Sequence, residues 1–434
     1  MIIAKRLKGK AISAWLGGPG DAVRRAVADV RGRIAQAPRR LELYLDIVDP
    51  WSYLTAQAVA RLLEAYPVDL EVHIVTPPAS DVDPAPVLRA KHALKDAQEL
   101  AAYWDLEFPG RKEADGGMVR DIGSTMIKTR PAREQLAAFL ETTGALWAND
   151  RKKLVELLGR LGTEAHGSVL PILNTAYGEL RKAGHYQGAM IQYGGEWYWS
   201  IDRLPYLEAA LARDTGADVA GVVTPRPDSD RQPEKLSDKP LQLEMWFSFR
   251  SPYSYLALEQ IEDIVAPHRI PLALKQVAPM VARGLPVPSI KRMYIVRDAK
   301  READRLGIPF GEICDPLGKG VDHCLAVAHF AQAQGKAVEF ARSALRGIWS
   351  EARDMAEYVD LRYVTERAGL SWDEARAALG DTAAAKTAAD NAAELDAAGM
   401  WGVPSFRVGS FITWGQDRLP ILADRLRRHA RATT

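Results

Sequence analysis

Two stretches of this chain match each other in residue type, order and spacing, so the fold open to one is constrained to be open to the other. Leu41-Glu42 answers Leu243-Glu244, Pro50 answers Pro252, Ser52-Tyr53-Leu54 answers Ser254-Tyr255-Leu256, and Pro77 answers Pro279, all without a gap. Asp96, Ala101 and Phe108 continue the match at Asp298, Ala303 and Phe310. Near the end of each copy, Trp199 and Asp202-Arg203-Leu204-Pro205 correspond to Trp414 and Asp417-Arg418-Leu419-Pro420, after extra residues inserted in a helical region of the second copy. Thr224 to Pro240, between the copies, is dense in proline and charge and leaves nothing to bury, which predicts an exposed linker. The expected division is a basic N-terminal helical extension over 1–40, a domain over 41–211, a linker over 212–240 and a second domain over 241–434.

Within the second copy, Leu241 to Phe249 is a strand-like apolar run that leads into Ser251-Pro252 and a helical pattern through Val265. Serine followed by proline is the expected start of a helix. Ile270 to Val277 predicts a second strand. Ser289 to Ala398 is alanine-rich and helix-periodic, with interruptions near Gly307 to Gly320 and at Gly369. After Gly402-Val403-Pro404 come a strand from Ser405 to Val408, a turn at Gly409-Ser410, a strand from Phe411 to Trp414, and a last helix from about Asp417. Strand, helix, strand, helical insertion, hairpin, helix predicts an α/β chain of two tandem thioredoxin-like domains, each with a helical insertion.

Composition narrows the chemistry. A formal net charge of +1 creates no global field toward nucleic acid or an acidic membrane, which favours a small-molecule partner. No run approaches membrane-spanning length. Lys5, Arg6, Lys8 and Lys10 precede Ala11 to Leu16, too short for a secretory apolar region. Ala22 to Ala35 fits one amphipathic helix with a basic face, either simply solvated or used for a surface or partner contact. Only two cysteines occur, Cys314 and Cys324, at neither a redox nor a zinc spacing. His323 and His329 do not complete a ligand set, so no metal site is expected, and a reducing cytoplasm fits best.

Ser251-Pro252-Tyr253-Ser254-Tyr255-Leu256-Ala257, Gly402-Val403-Pro404-Ser405 and Trp414-Gly415-Gln416-Asp417-Arg418-Leu419, in that order, resemble the 2-hydroxychromene-2-carboxylate isomerase family. That family is close to kappa-class glutathione transferases and more distant from DsbA. Lys291, Tyr294, Asp298, Arg301, Ala303 and Gly307-Ile308-Pro309-Phe310 extend the resemblance over nearly all of the second copy. Ser251 and Ser254 stand where DsbA-type proteins carry two cysteines, so thiol-disulfide exchange by this motif has no attacking thiolate. What remains is a helix N-terminus suited to an anion, with a hydroxyl able to donate a hydrogen bond to an external thiolate. Taken alone, Ser251 is equally what an ordinary N-cap looks like.

The resemblance implies glutathione as cofactor, with Ser251 catalytic, Val403 and a cis Pro404 holding its cysteinyl part, and Gln416 and Asp417 its γ-glutamyl end. Lys291 is implied as a cationic contact to glutathione or a substrate carboxylate. From the residues alone, Asp417 is also a helix-start acid, Gln416 a cap, and Lys291 a solvated lysine beside a Tyr294-Asp298-Arg301 surface network. The asparagine expected shortly before Lys291 is missing, since the chain reads Leu285-Pro286-Val287-Pro288-Ser289. Trp349, Trp401 and Trp414 read as core or pocket lining.

In the first copy Asp49 stands for Ser251, Ala189 for Pro404 and Ile201 for Gln416. An ionised aspartate repels a thiolate and has no proton to donate, so the first copy is read as degenerate. Its expected use is as a built-in partner in an intramolecular pseudo-dimer. The expected activity is a glutathione-dependent isomerase acting on a small, aromatic or electrophilic substrate. A kappa-like transferase and a non-catalytic binding or scaffold protein are the alternatives.

Overall fold

The computed structural model describes residues 40–225 and 232–433. The basic extension before Arg40, including the Ala22 to Ala35 helix, lies outside the described residues. The chain divides into two compact units between residues 228 and 229, inside the stretch read as the linker.

The first unit runs β1 (Arg40–Asp46), α1 (Pro50–Ala65), β2 (Asp69–Val75), then α2 (Pro86–Tyr103), α3 (Gly116–Met126), α4 (Ala132–Trp147), α5 (Arg151–Leu161) and α6 (Val169–Ala183). The hairpin β3 (Met190–Tyr193) and β4 (Glu196–Trp199) and the helix α7 (Leu204–Thr215) close it. Its sheet has the order β2-β1-β3-β4, with β1 and β2 parallel and the other pairs antiparallel. A parallel pair needs a crossover, and α1 supplies it.

The second unit repeats this plan with β5 (Leu243–Phe247), α8 (Pro252–Val265), β6 (Leu272–Gln276) and a helical segment of α9 (Ser289–Leu306), α10 (Lys319–Ala333), α11 (Ala337–Ser350), α12 (Tyr358–Arg367), α13 (Trp372–Ala377) and α14 (Ala383–Ala397). The hairpin β7 (Ser405–Val408) and β8 (Phe411–Trp414) and the helix α15 (Leu419–Thr433) follow. The strand order is β6-β5-β7-β8. Register repeats as well: Leu41 faces Leu70 as Leu243 faces Leu272, and Met190 faces Trp199 as Ser405 faces Trp414. Because a one-residue slip would turn every side chain to the opposite face, shared register places matched residues equivalently in the two sheets.

The crossover helices start for the reason read in the sequence. Asp49 and Ser251 both hold extended backbone, each is followed by proline in the first turn, and each side chain accepts a hydrogen bond from the amide three residues on, Ser52 N or Ser254 N, at 3.1 Å. Such a cap is worth about 1 kcal/mol. Apolar strand residues fill the cores: Leu41, Leu43 and Leu45 in one unit and Leu243, Met245 and Phe247 in the other are fully or almost fully buried.

Two expectations change. The linker is not bare: Val223 and Leu236 are buried, Glu208 accepts from Val222 N, Glu234 pairs with Arg425 and Arg428, and Leu236 O accepts from Ser410 N. A few apolar side chains among charges anchor each flank to its own unit. The last helix begins at Leu419, and Asp417 sits in the 3-10 turn Gln416–Arg418 before it.

Candidate active site

The site of the second unit gathers at the N-terminus of α8. Ser251 is half-buried, caps the helix through its Oγ, and lies 3.4 Å from the carbonyl of Val403, toward which the hydroxyl donates. Val403 precedes a cis peptide bond to Pro404. Gly402 lets that loop approach β8, since a Cβ there would come 2.6 Å from Trp414 Nε1. Gly415 N donates to Pro404 O at 2.9 Å, joining the loop to the turn that carries Gln416 and Asp417. Ser254, by contrast, is fully buried and accepts from Ser248 N, so of the two serines only Ser251 is open to a ligand.

Gln416 is buried, and its amide donates to Asp417 and, at 3.2 Å, to Glu302 of α9. Glu302 is itself buried and bridged by Arg305 at 2.8 Å. The structure therefore joins Ser251 to the Val403-Pro404 loop, and Gln416 to Asp417. Lys291 is half-buried in the first turn of α9. Its register-matched residue in the first unit, Arg89, comes within 3.9 Å of the Asp49 carboxylate, the position matched to Ser251.

The surface-network reading of Tyr294, Asp298 and Arg301 is corrected. Asp298 and Tyr294 are buried, and Asp298 accepts from the Tyr253 hydroxyl at 2.7 Å, with Arg301 at 3.8 Å. A polar triad at helical spacing faces inward here because Tyr253 of the capping motif meets it. Trp349 and Trp401 are buried, while Trp414 is half-buried with its ring centroid 5.1 Å from that of Trp401. Cys314 and Cys324 are both buried and unbonded to each other, and burial pushes the Cys324 thiol well above its ordinary range. His323 Nδ1 lies 2.9 Å from Met355 O. Among the described residues no group of ligating side chains is arranged to hold a metal, and no helix is long and apolar enough to cross a membrane.

Two residues of the site were not found in the sequence. Arg250, next to Ser251, forms a two-bond ion pair with Asp315, both at 2.8 Å. Burial works against ionisation of Asp315, but the Arg250 guanidinium outweighs it and holds the carboxyl below its usual range. Glu302 is the other, and its only signal was its place one turn after Asp298 on the same helix.

Residues 242–427 match the family of the DSBA-like thioredoxin domain, which defines the class of the second unit. More particularly, a relative is the 2-hydroxychromene-2-carboxylate isomerase of Sphingobium xenophagum, 27% identical over 197 residues, spanning 42% of this chain and 95% of the relative. Similar solved structures include a 2-hydroxychromene-2-carboxylate isomerase (22% identity, TM-score 0.39, 44% of this chain and 97% of that one). Another is a probable DsbA oxidoreductase from Streptomyces coelicolor (19% identity, TM-score 0.38, 45% of this chain and 92% of that one).

Proposed function

We propose that the second unit is a glutathione-dependent isomerase of the 2-hydroxychromene-2-carboxylate isomerase type, and that the chain is a tandem duplication whose first copy has given up the site. The observation that carries this is Ser251: a half-buried hydroxyl at a helix N-terminus, 3.4 Å from the carbonyl before a cis-proline, with the second cysteine position also serine. The relative's activity and the motif order support the isomerase choice, and the repeated strand register supports the duplication.

The residues present suit glutathione. The hydroxyl at the N-terminal, positive end of α8 favours an anion, the carbonyl of the half-buried Val403 beside it can accept from a peptide amide once Ser251 turns away, and the Gln416-Asp417 pair offers a carboxylate to an ammonium group. Glutathione held there would supply a thiolate nucleophile for reversible addition to an electrophilic carbon of the substrate, and would be regenerated when it is expelled. Ser251 donates its hydroxyl proton as a hydrogen bond to that sulfur, turning from the long contact with Val403 O, while its Oγ continues to accept from Ser254 N and cap the helix. Lys291 attracts the substrate carboxylate.

The test is turnover of a 2-hydroxychromene-2-carboxylate by the full chain with and without glutathione. Isomer formed only with glutathione, and thiol recovered in full, supports the reading. Glutathione consumed in a stable conjugate would favour a transferase, and neither turnover nor binding at about millimolar glutathione would favour a scaffold.

A further inference from the structure

We propose that the first unit carries a second and separate binding site, for a small carboxylate with an apolar body, in a cavity of about 360 Å³ beside the outer edge of β2. This volume lies in the range of small-molecule sites. In the order β2-β1-β3-β4 the strand β2 has a neighbour on one side only. The cavity lies between residues 70–74 of that strand, the connection from Met126 to Ala132, and Ile172, Leu173 and Ala176 on α6.

Charge identifies the ligand's head. Arg40, Lys128 and Arg130 line the cavity, against one carboxylate, Glu71. Glu71 is already committed to Arg40, and its other oxygen lies 3.5 Å from His73 Nε2. Arg130 gives its hydrogen bonds to neutral acceptors, among them Thr125 O at 2.7 Å, Gln135 Oε1 at 3.0 Å and Leu161 O at 3.1 Å. These bonds tie the guanidinium to the ends of α3 and α5, and Glu134 is the carboxylate whose charge acts on it. Lys128 is half-buried, and its ammonium makes no hydrogen bond or ion pair among the described residues. Two cations, Arg130 fixed and partly offset by Glu134 and Lys128 adjustable, are complementary to a single carboxylate, with Lys128 the one that can bond it directly.

The walls identify the body. Ile74, Met126 and Leu173 are buried at the cavity, and Ile172 presents an apolar side chain that is 46% exposed. Of these only Ile172 still meets water, and an aliphatic carboxylate would cover it where an inorganic anion would not. The inference is independent of the glutathione reading, since it rests on the other unit.

Octanoate is the probe, titrated calorimetrically into the full chain, with octanamide as the neutral control. Saturable binding is expected, weakened roughly tenfold for octanamide and for Lys128→Ala and restored by Lys128→Arg, as loss of one charge-assisted contact requires. Ile172→Asp, at a half-exposed position that leaves the core intact, should also weaken it roughly tenfold. No saturable binding up to about 10 mM would overturn the proposal. So would binding to which neither Lys128→Ala nor octanamide makes any difference.

Discussion

The two helix starts, at Asp49 and at Ser251, share a sheet register and a capping bond, and they differ in what surrounds the cap. At Ser251 the capping oxygen is a neutral hydroxyl, half-buried, with its long contact to Val403 O ready to be exchanged. At Asp49 it is a carboxylate buried from solvent, hydrogen-bonded by both the amide and the hydroxyl of Ser52. Arg89, matched to Lys291, approaches Asp49 and bonds Asp83 at 2.6 Å. Ser52 also accepts from Ala189 N, where the second unit has the cis-proline. The first unit thus fills with its own carboxylate the place where the second is proposed to receive a thiolate. The same scaffold is proposed to present an anion site in one unit and satisfies it internally in the other, and the cap residue is the first of several positions at which the two differ.

Farther along, the contrast repeats. Glu302 and Gln416 form a buried polar pair, and the matched positions hold Leu100 and Ile201, both buried. A half-satisfied polar pair is worse than an apolar one, so the two positions change together or not at all.

The largest expected effect comes from moving the first unit's cap into the second. Ser251→Asp should preserve folding, because aspartate caps well, yet lower glutathione-dependent turnover by roughly 10²–10³, the usual loss when a donor to a developing anion is removed. Steady-state rates alongside thermal melts check this, and retained activity would break the contrast.

Next is the pH response of the first unit. Burial pushes the Asp46 carboxyl up to about 7, with Asp49 adding to it and the Val48 amide and Arg89 opposing. Burial raises Asp49 too, against Arg89 and the Ser52 bonds. The folded chain therefore keeps a proton on Asp46 that the unfolded chain releases near about pH 4, so the folded state binds more protons between those values and stability falls as pH rises. Above about pH 7 the loss is complete, on the order of 2–4 kcal/mol. Asp46→Asn should restore it there and do little at pH about 4. Hydrogen exchange of β1 amides across pH reads the difference, and parallel profiles for both proteins would contradict it.

Smaller still is the effect at the polar pair. Gln416→Ile or Glu302→Leu alone should cost about 1–3 kcal/mol, and the double variant should recover part of this. Urea unfolding of all four proteins gives the coupling, and strictly additive losses would show that the pair is not a unit.

Much of this was readable because it is local. Ser-Pro and Asp-Pro at the helix starts, the apolar run that forms the first strand of the second copy, and Gly402-Val403-Pro404 before β7 each act over a few residues, so sequence order suffices. Arg250 with Asp315, and Glu302 with Gln416, escaped because their partners are brought together only by the fold. Burial of Asp298 escaped for the same reason, since Tyr253 is on another helix. Burial of Leu236 within the stretch read as exposed escaped because it is a single apolar residue among charges, and only a receiving surface reveals it.

The central claim is that the Ser251 hydroxyl stabilises a thiolate, and the ultraviolet absorbance of glutathione bound to the full chain, titrated with pH, tests it most directly. The account predicts a bound-thiol midpoint at least about one unit below the ordinary ~8.5, returning toward that value in Ser251→Ala while glutathione remains bound. An ordinary midpoint in the unsubstituted protein, or an equally lowered one in Ser251→Ala, would contradict it.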